Sequence, residues 1–303
     1  MEKTLGGNKQ MNVLVTGGAG FIGTNLIERL LKDGHNVVSL DNYQTGKEEN
    51  EIEGCTYHRV DIRDSIDFDF FMPEPDVVYH LAALARIQPS FEYPELTFET
   101  NVLGTMNLCS WVKEKGCPIV YAGSSSSHGD VFANPYTFTK YQGEEIIEMF
   151  HKVYDVPTAI CRFYNVYGPK QLTEGEYCTV IGIFERQLAE GKELTITGDG
   201  EQRRDFTHVT DIVDGFVKAG EYLISNSDNG GETFELGRGE NYSINVIAQS
   251  FDAGYTYIDA RPGEMRETLC TDMKARELLG WEPTIDILDY IEGVRVDKEI
   301  SNN

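Results

Sequence analysis

A cluster of glycines caught between two different hydrophobic periods constrains this chain more than any other feature. Met11 to Thr16 is a short apolar, β-branched run that predicts a strand. Gly17-Gly18-Ala19-Gly20-Phe21-Ile22-Gly23 follows, and Phe21, Ile22, Leu26, Ile27, Leu30 and Leu31 then recur at helical spacing. Gly34 stands where a helix would end on a left-handed residue. Glycines between a strand and a helix let backbone N–H groups approach an anion at the positive end of the helix. In this context Gly17, Gly20, Phe21, Ile22 and Gly23 are candidates to cradle a dinucleotide pyrophosphate.

Later strands extend the pattern. Val37 to Leu40 ends in Asp41-Asn42, and an acidic group there accepts from the adenosine ribose hydroxyls and repels a 2′-phosphate, which favours NAD over NADP. Cys55 to Val60 ends in Asp61-Ile62, candidates for the adenine edge, and Asp76 to His80 opens into Leu81-Ala82-Ala83, small enough for close approach to a ligand. A helix is expected over about Glu95 to Glu114, then strands at Pro118 to Tyr121, Thr158 to Phe163 and Thr233 to Leu236. The alternation predicts an α/β fold, a Rossmann-type doubly wound parallel sheet with a smaller C-terminal substrate-binding lobe. The expected organisation is a flexible tail over 1–10 and a dinucleotide-binding domain over 11–168, to which 205–240 return. Residues 169–204 and 241–303 are assigned to the lobe, with a helix at Val180 to Ala189 and a strand at Leu194 to Thr197.

A chemical pair lies beyond the fifth strand. Ser124-Ser125-Ser126-Ser127 leads into a helical segment with Tyr136 and Lys140 on one face. An ammonium near a phenol favours the phenolate, which makes a base for a sugar or alcohol hydroxyl. A serine at the strand end would orient that hydroxyl; Ser124 is the first candidate, with Ser125 and Ser126 open alternatives. Arg204, in Arg203-Arg204-Asp205-Phe206, and Arg261, in Arg261-Pro262-Gly263-Glu264, are guanidinium forks suited to a diphosphate.

Composition narrows the partners. A formal charge of -24 argues against nucleic acid and anionic membranes. The six cysteines are scattered without metal-like grouping, so no metal site is expected and the thiols read as reduced. No run reaches membrane-spanning length and no signal-peptide core is present, so a cytoplasmic location is expected.

These segments, with His80-Leu81-Ala82-Ala83-Leu84 and Asn101-Val102-Leu103-Gly104-Thr105, resemble the extended short-chain dehydrogenase/reductase family. The likeness covers essentially residues 11 to 290 and is nearest to the NAD-dependent nucleotide-sugar epimerases of the UDP-glucose 4-epimerase type. It implies that Tyr136 takes the proton of a sugar 4-hydroxyl while hydride passes to NAD, and that Lys140 holds the nicotinamide ribose. It also implies that Ser124 bonds the reacting oxygen and that Asn101 belongs to the cofactor shell. Asn165 would touch the sugar diphosphate, Arg204 and Arg261 its phosphates, and Thr268 the position that admits N-acetyl sugars. A UDP-sugar substrate and a homodimer are further implications. Dehydratases and decarboxylases of the family carry an acidic residue just after the catalytic Ser or Thr; Ser125 and Ser126 stand there instead, which favours epimerisation. The chain departs from the pattern in a short segment before Tyr136, in His128 where a tyrosine is common, and in a trimmed stretch between Phe251 and Tyr255. A more open sugar pocket is expected from these.

Overall fold

The structure, a computed structural model, describes residues 10–64, 67–225 and 230–301. The predicted tail over 1–10 therefore lies, except for Gln10, outside the described residues. The first unit is β1 (Asn12–Thr16), α1 (Phe21–Lys32) and β2 (Asn36–Asp41), followed by β3 (Thr56–Arg59) and β4 (Val77–His80). Gly34, at φ +88°, follows α1 as the left-handed residue its position required. Next come α2 (Ile87–Glu92), α3 (Pro94–Phe98), α4 (Gly104–Lys115), β5 (Ile119–Ser124), α5 (Pro135–Tyr154) and β6 (Thr158–Phe163). The chain continues through β7 (Val166–Tyr167), α6 (Val180–Ala189), β8 (Leu194–Thr197), β9 (Arg203–Asp205), β10 (Thr207–His208), α7 (Val209–Ser225) and β11 (Glu232–Leu236). It ends with β12 (Asn241–Ser243), α8 (Ile244–Ser250), β13 (Tyr255–Ile258), α9 (Lys274–Leu279) and α10 (Ile287–Ser301).

Seven strands form one sheet in the order β11-β6-β5-β4-β1-β2-β3, and every neighbouring pair is parallel. Both faces are covered, as parallel strands require. Val13 and Val15 pack with Leu26, Ile27 and Phe216 of α1 and α7; Leu14 packs with Leu108, Ile147 and Phe150 of α4 and α5. Strand alternation thus feeds two cores from one strand. A third core around Phe184, Ile196, Phe206, Ile247 and Phe251 belongs to the lobe, where β8 pairs with β13 and β9 with β12. The architecture is the expected doubly wound parallel sheet with a smaller lobe. Among the described residues no helix is long and apolar enough to cross a membrane.

Two predicted elements differ. The single helix expected over Glu95 to Glu114 is α3, a π-helical turn (Glu99–Leu103) and α4. The extra residue accommodates Asn101, which is 1% exposed and fully engaged: its Oδ1 accepts from Leu84 N at 2.8 Å, and its Nδ2 donates to Leu84 O at 3.1 Å and Thr139 Oγ1 at 3.0 Å. Asn101 therefore braces the loop after β4 against α5 and does not line the cavity, which corrects its assignment to the cofactor shell. The second difference is β5, which runs three residues further than predicted, through Ala122 and Gly123 to Ser124. Asn101→Ala leaves both backbone groups of buried Leu84 unpaired. It is expected to lower the unfolding free energy by about 2–4 kcal/mol in urea titration; a loss within error would mean the brace is dispensable.

Candidate active site

The five predicted loops after β1 to β5 open on the carboxyl edge of the sheet and surround one cavity of about 800 Å³. On the glycine side, Gly17 N donates to Leu40 O of β2 at 2.8 Å and Gly20 N to Gly17 O at 3.2 Å, so the loop stays tied to the neighbouring strand and closes a tight turn on itself. A Cβ on Gly23 would sit 2.1 Å from Gly17 O, so only glycine lets the helix start this close to the loop. Gly17, Gly20, Phe21, Ile22 and Gly23 all line the cavity. Asp41 is 7% exposed; its Oδ2 accepts from Ala19 N at 2.9 Å and its Oδ1 from Tyr43 N at 2.8 Å. Burial holds its carboxyl above the ordinary value, against those two hydrogen bonds. The residue read as a ribose acceptor thus also pins the glycine loop.

Asn42, Ile62, Leu81, Ala82 and Ala83 line the cavity as predicted, whereas Asp61 does not. Its carboxylate is taken by Arg63 Nε at 2.9 Å, Arg63 Nη2 at 2.6 Å and Asn42 Nδ2 at 2.9 Å, and these partners hold it well below the carboxylate range. That corrects the adenine-edge assignment of the Asp61 side chain. Behind Leu81, His80 is 1% exposed between Thr16 Oγ1 at 2.7 Å and Thr105 Oγ1 at 3.0 Å. Burial pushes it down to about 3, so it is a neutral strut joining the ends of β1, β4 and α4.

Ser124 ends β5 and caps the turn Ser125–His128, its Oγ accepting from Ser126 N at 3.2 Å. Asn134 caps α5 through Thr137 N at 2.8 Å, and Pro135 opens the helix, which places Tyr136 in its first turn. The Tyr136 hydroxyl donates to Ser124 Oγ at 3.2 Å. Of the serines left open in sequence, Ser124 is the one that meets the phenol; Ser125 and Ser126 line the same cavity. Lys140 is on the expected helix face, but its ammonium turns toward the sheet. It donates to Tyr121 Oη at 2.9 Å and Ala122 O at 2.5 Å, and lies 4.2 Å above the Tyr121 ring. The expected lowering of the phenol by Lys140 is therefore corrected. Burial holds Tyr136 above its ordinary value, and the opposing groups are Ser124, through its hydrogen bond, and the Arg86 guanidinium.

The lobe closes the other side. Asn165 donates from Nδ2 to Asp205 O and to Thr268 Oγ1, both at 2.9 Å, so the two predicted substrate residues are bonded to each other. Among the described residues the Arg204 side chain bonds only the neighbouring Arg203 O, at 2.9 Å, and Arg261 is exposed at the rim. The short segment before Tyr136 is covered by residues 262–265: Asn134 Nδ2 donates to Gly263 O at 3.3 Å and Gln88 Nε2 to Pro262 O at 3.0 Å. Sequence reasoning missed Arg86, whose Nε donates to Tyr177 O at 2.6 Å, and the wall Tyr177-Cys178-Thr179 with Gln202. A single charge inside the apolar run Leu81 to Ile87 was a readable signal for Arg86; the wall carries none. Among the described residues none of Arg86, Arg204 and Arg261 is ion-paired.

Burial pushes Lys140 down to about 8. The unfolded chain then holds more protons than the folded one between pH 8 and the unperturbed lysine value of about 10.4, and stability gains from this residue as pH rises through that window. Relative to Lys140→Met, the wild type is expected to gain on the order of 3 kcal/mol across it in urea titrations. A constant difference would mean that the folded ammonium titrates normally.

Comparison with known proteins agrees with this geometry. A model of the NAD dependent epimerase/dehydratase family matches residues 13–237. A UDP-glucose 4-epimerase of Mycolicibacterium smegmatis is 33% identical, with 93% of this chain and 96% of that protein covered. A UDP-glucuronic acid decarboxylase of Xenopus tropicalis is 29% identical, over 94% of this chain and 71% of its own. The structure of a Thermotoga maritima UDP-glucose 4-epimerase with UDP-glucose superimposes with a TM-score of 0.85 at 30% identity, covering 96% of this chain and 99% of that one. A cavity built on a glycine loop, an acidic second strand and a serine–tyrosine pair, together with a match over most of its length, places this chain in the NAD dependent epimerase/dehydratase family.

Proposed function

We propose that this protein epimerises a nucleotide-diphosphate sugar, of the UDP-sugar class, at C4 by way of a transient 4-keto sugar, with NAD as resident cofactor. The observation that carries the reading is the Tyr136–Ser124 hydrogen bond of 3.2 Å, in the same cavity as the glycine loop and with no carboxylate next to Ser124 in sequence. The loop suits a dinucleotide: Gly20 leaves the backbone bare for approach to a pyrophosphate, Gly23 lets the helix start close to the loop, and Asp41 disfavours a 2′-phosphate. Bound NAD supplies a hydride acceptor that is also the hydride donor, so none is consumed. Ser124 Oγ holds the sugar 4-oxygen, and Tyr136, acting from its phenolate form, which burial makes the minority, takes the hydroxyl proton and returns it to the same oxygen when the hydride comes back, so the phenolate is regenerated. Lys140, at the cavity wall, donates to a ribose hydroxyl. Arg204 and Arg261, without carboxylate partners among the described residues, clamp the diphosphate, with Asn165 and Thr268 beside the sugar.

The decarboxylase relatives support a second reading on the same machinery, in which a uronate loses carbon dioxide. Incubation with UDP-glucose, UDP-N-acetylglucosamine and UDP-glucuronate, followed by NMR, separates the two. A C4 epimer of unchanged mass is expected; loss of water or carbon dioxide would reassign the reaction. Tyr136→Phe is expected to lower turnover at least about 10²-fold while NAD content stays near wild type; retained turnover would remove Tyr136 as base.

A second copy of the chain is the proposed partner. Phe98 and Phe132 are 40% and 77% exposed, and their rings lie 6.0 Å and 5.4 Å from that of Phe138, forming an aromatic face across α3 and α5. Sedimentation is expected to give a dimer for the wild type and a monomer for Phe98→Ser/Phe132→Ser. Dimers of both would place the interface elsewhere.

A further inference from the structure

The turn that carries Ser124 is held from behind by a ring of charges that the proposed chemistry does not use. Glu144 lies two helical turns from Tyr136 on α5 and is 3% exposed. Its Oε1 accepts from Ser124 N at 3.1 Å and from Ser127 Oγ at 3.1 Å. Its Oε2 accepts from Arg162 Nε at 3.0 Å and Nη2 at 2.7 Å. Arg162 Nη1 continues to Glu235 Oε1 at 3.0 Å, and the same oxygen is 2.9 Å from His128 Nε2. His128 is the last residue of the turn that begins at Ser125, so the ring starts and ends on the serine turn.

The charge count of this ring is uneven. Two buried carboxylates share one guanidinium, and Lys140, the buried cation that Glu144 also feels, spends its hydrogen bonds on Tyr121 Oη and Ala122 O, so within the ring one negative charge is in excess where desolvation makes it expensive. An imidazolium at His128 removes the excess. The other groups facing His128 are Arg162, Glu144 and Tyr164, whose ring is 6.3 Å away. Glu235 Oε2 is buried without a well-formed partner, with the Tyr164 hydroxyl the group that faces it. The side chain of His128 is 47% exposed, so it exchanges protons with solvent while Glu235 stays inside at 7%.

We infer that His128 is a positioning residue: bound to Glu235 as an imidazolium, it neutralises the Glu144–Arg162–Glu235 ring and holds the Ser124–Ser127 turn where Ser124 meets Tyr136. The hydrogen bond to Glu235 raises His128 above its ordinary value. Its contribution is then fully present below the unperturbed histidine value of about 6.5 and is lost as pH rises through the folded midpoint. Deprotonation also returns the excess negative charge beside Tyr136, whose phenol Glu144 already pushes up. The consequence for catalysis rests on the epimerase reading; the clamp itself does not.

The test has an arm for each. By NMR of the imidazole Cε1–H in the NAD-containing protein, assigned with His128→Tyr, His128 is expected to titrate at least about half a unit above the free-histidine value and to fall back in Glu235→Gln. A normal midpoint, unmoved by Glu235→Gln, overturns the proposal whatever the enzyme does. With the UDP-sugar that is turned over, His128→Ala is expected to lower kcat about tenfold with KM changed less than about twofold. Wild-type kcat should fall as pH passes the His128 midpoint, whereas His128→Lys, which keeps a cation beside Glu235 through that range, should restore most of kcat and stay flat there. Superimposable profiles for wild type and His128→Ala overturn the positioning role. Should no UDP-sugar be turned over, the epimerase reading fails, and the ring is read from Tyr136 by ¹³Cζ-tyrosine NMR. An upward shift of about half a unit in His128→Ala supports the proposal, and an unmoved titration overturns it.

Discussion

The structure turns on the close approach of two loops at the middle of the sheet. A Cβ on Gly17 would lie 2.8 Å from Ala82 N, and Gly17 itself is at φ +76°. Because β1 pairs in parallel with both β2 and β4, the loops that follow these strands must leave from the same edge. Without a side chain at Gly17, and with small residues at Ala82 and Ala83, they do so side by side. The cavity between them and the lobe follows, and so does the arrival of β5 and α5 with Ser124 and Tyr136 at its far wall.

Electrostatics complete what the backbone begins. The chain carries a formal charge of -24, yet Arg86, Arg204 and Arg261 reach the cavity or its rim without ion pairs among the described residues. Their unshared charge is a local attraction for a phosphorylated ligand set against an unfavourable overall field. The acidic residues nearest the chemistry are used internally: Asp41 on the backbone of the glycine loop, Glu144 on the serine turn and Arg162. Burial works in opposite senses on the two central groups, raising Tyr136 and lowering Lys140, so each is biased toward its neutral form.

Periodicity located the strands of the central sheet: the inner ones are apolar runs ending in a polar or glycine-rich turn, the pattern that two covered faces impose, whereas β3 and β11 at the edges are more polar. It missed β13, whose residues are all exposed and carry no burial signal. It also passed over the π-helical turn at Asn101, since helical spacing is nearly the same across one extra residue. Arg86 was visible as a charge in an apolar run, whereas the wall at Tyr177 to Thr179 is irregular backbone without periodicity.

The sequence by itself determined the parallel sheet, the glycine loop with Asp41 opposite it, and the placement of Tyr136 and Lys140 on one helical face, because these depend on local period and spacing. Only the tertiary structure decided where their polar ends point. It turned Lys140 to Tyr121 and Ala122, gave Asp61 to Arg63, used Asn101 as a brace, selected Ser124 for the phenol and closed the ring through His128. The physical reason is that a buried donor or acceptor is satisfied by whichever partner the fold brings within hydrogen-bond reach. For these residues those partners lie on strands and loops far away in the chain, beyond the reach of any local pattern.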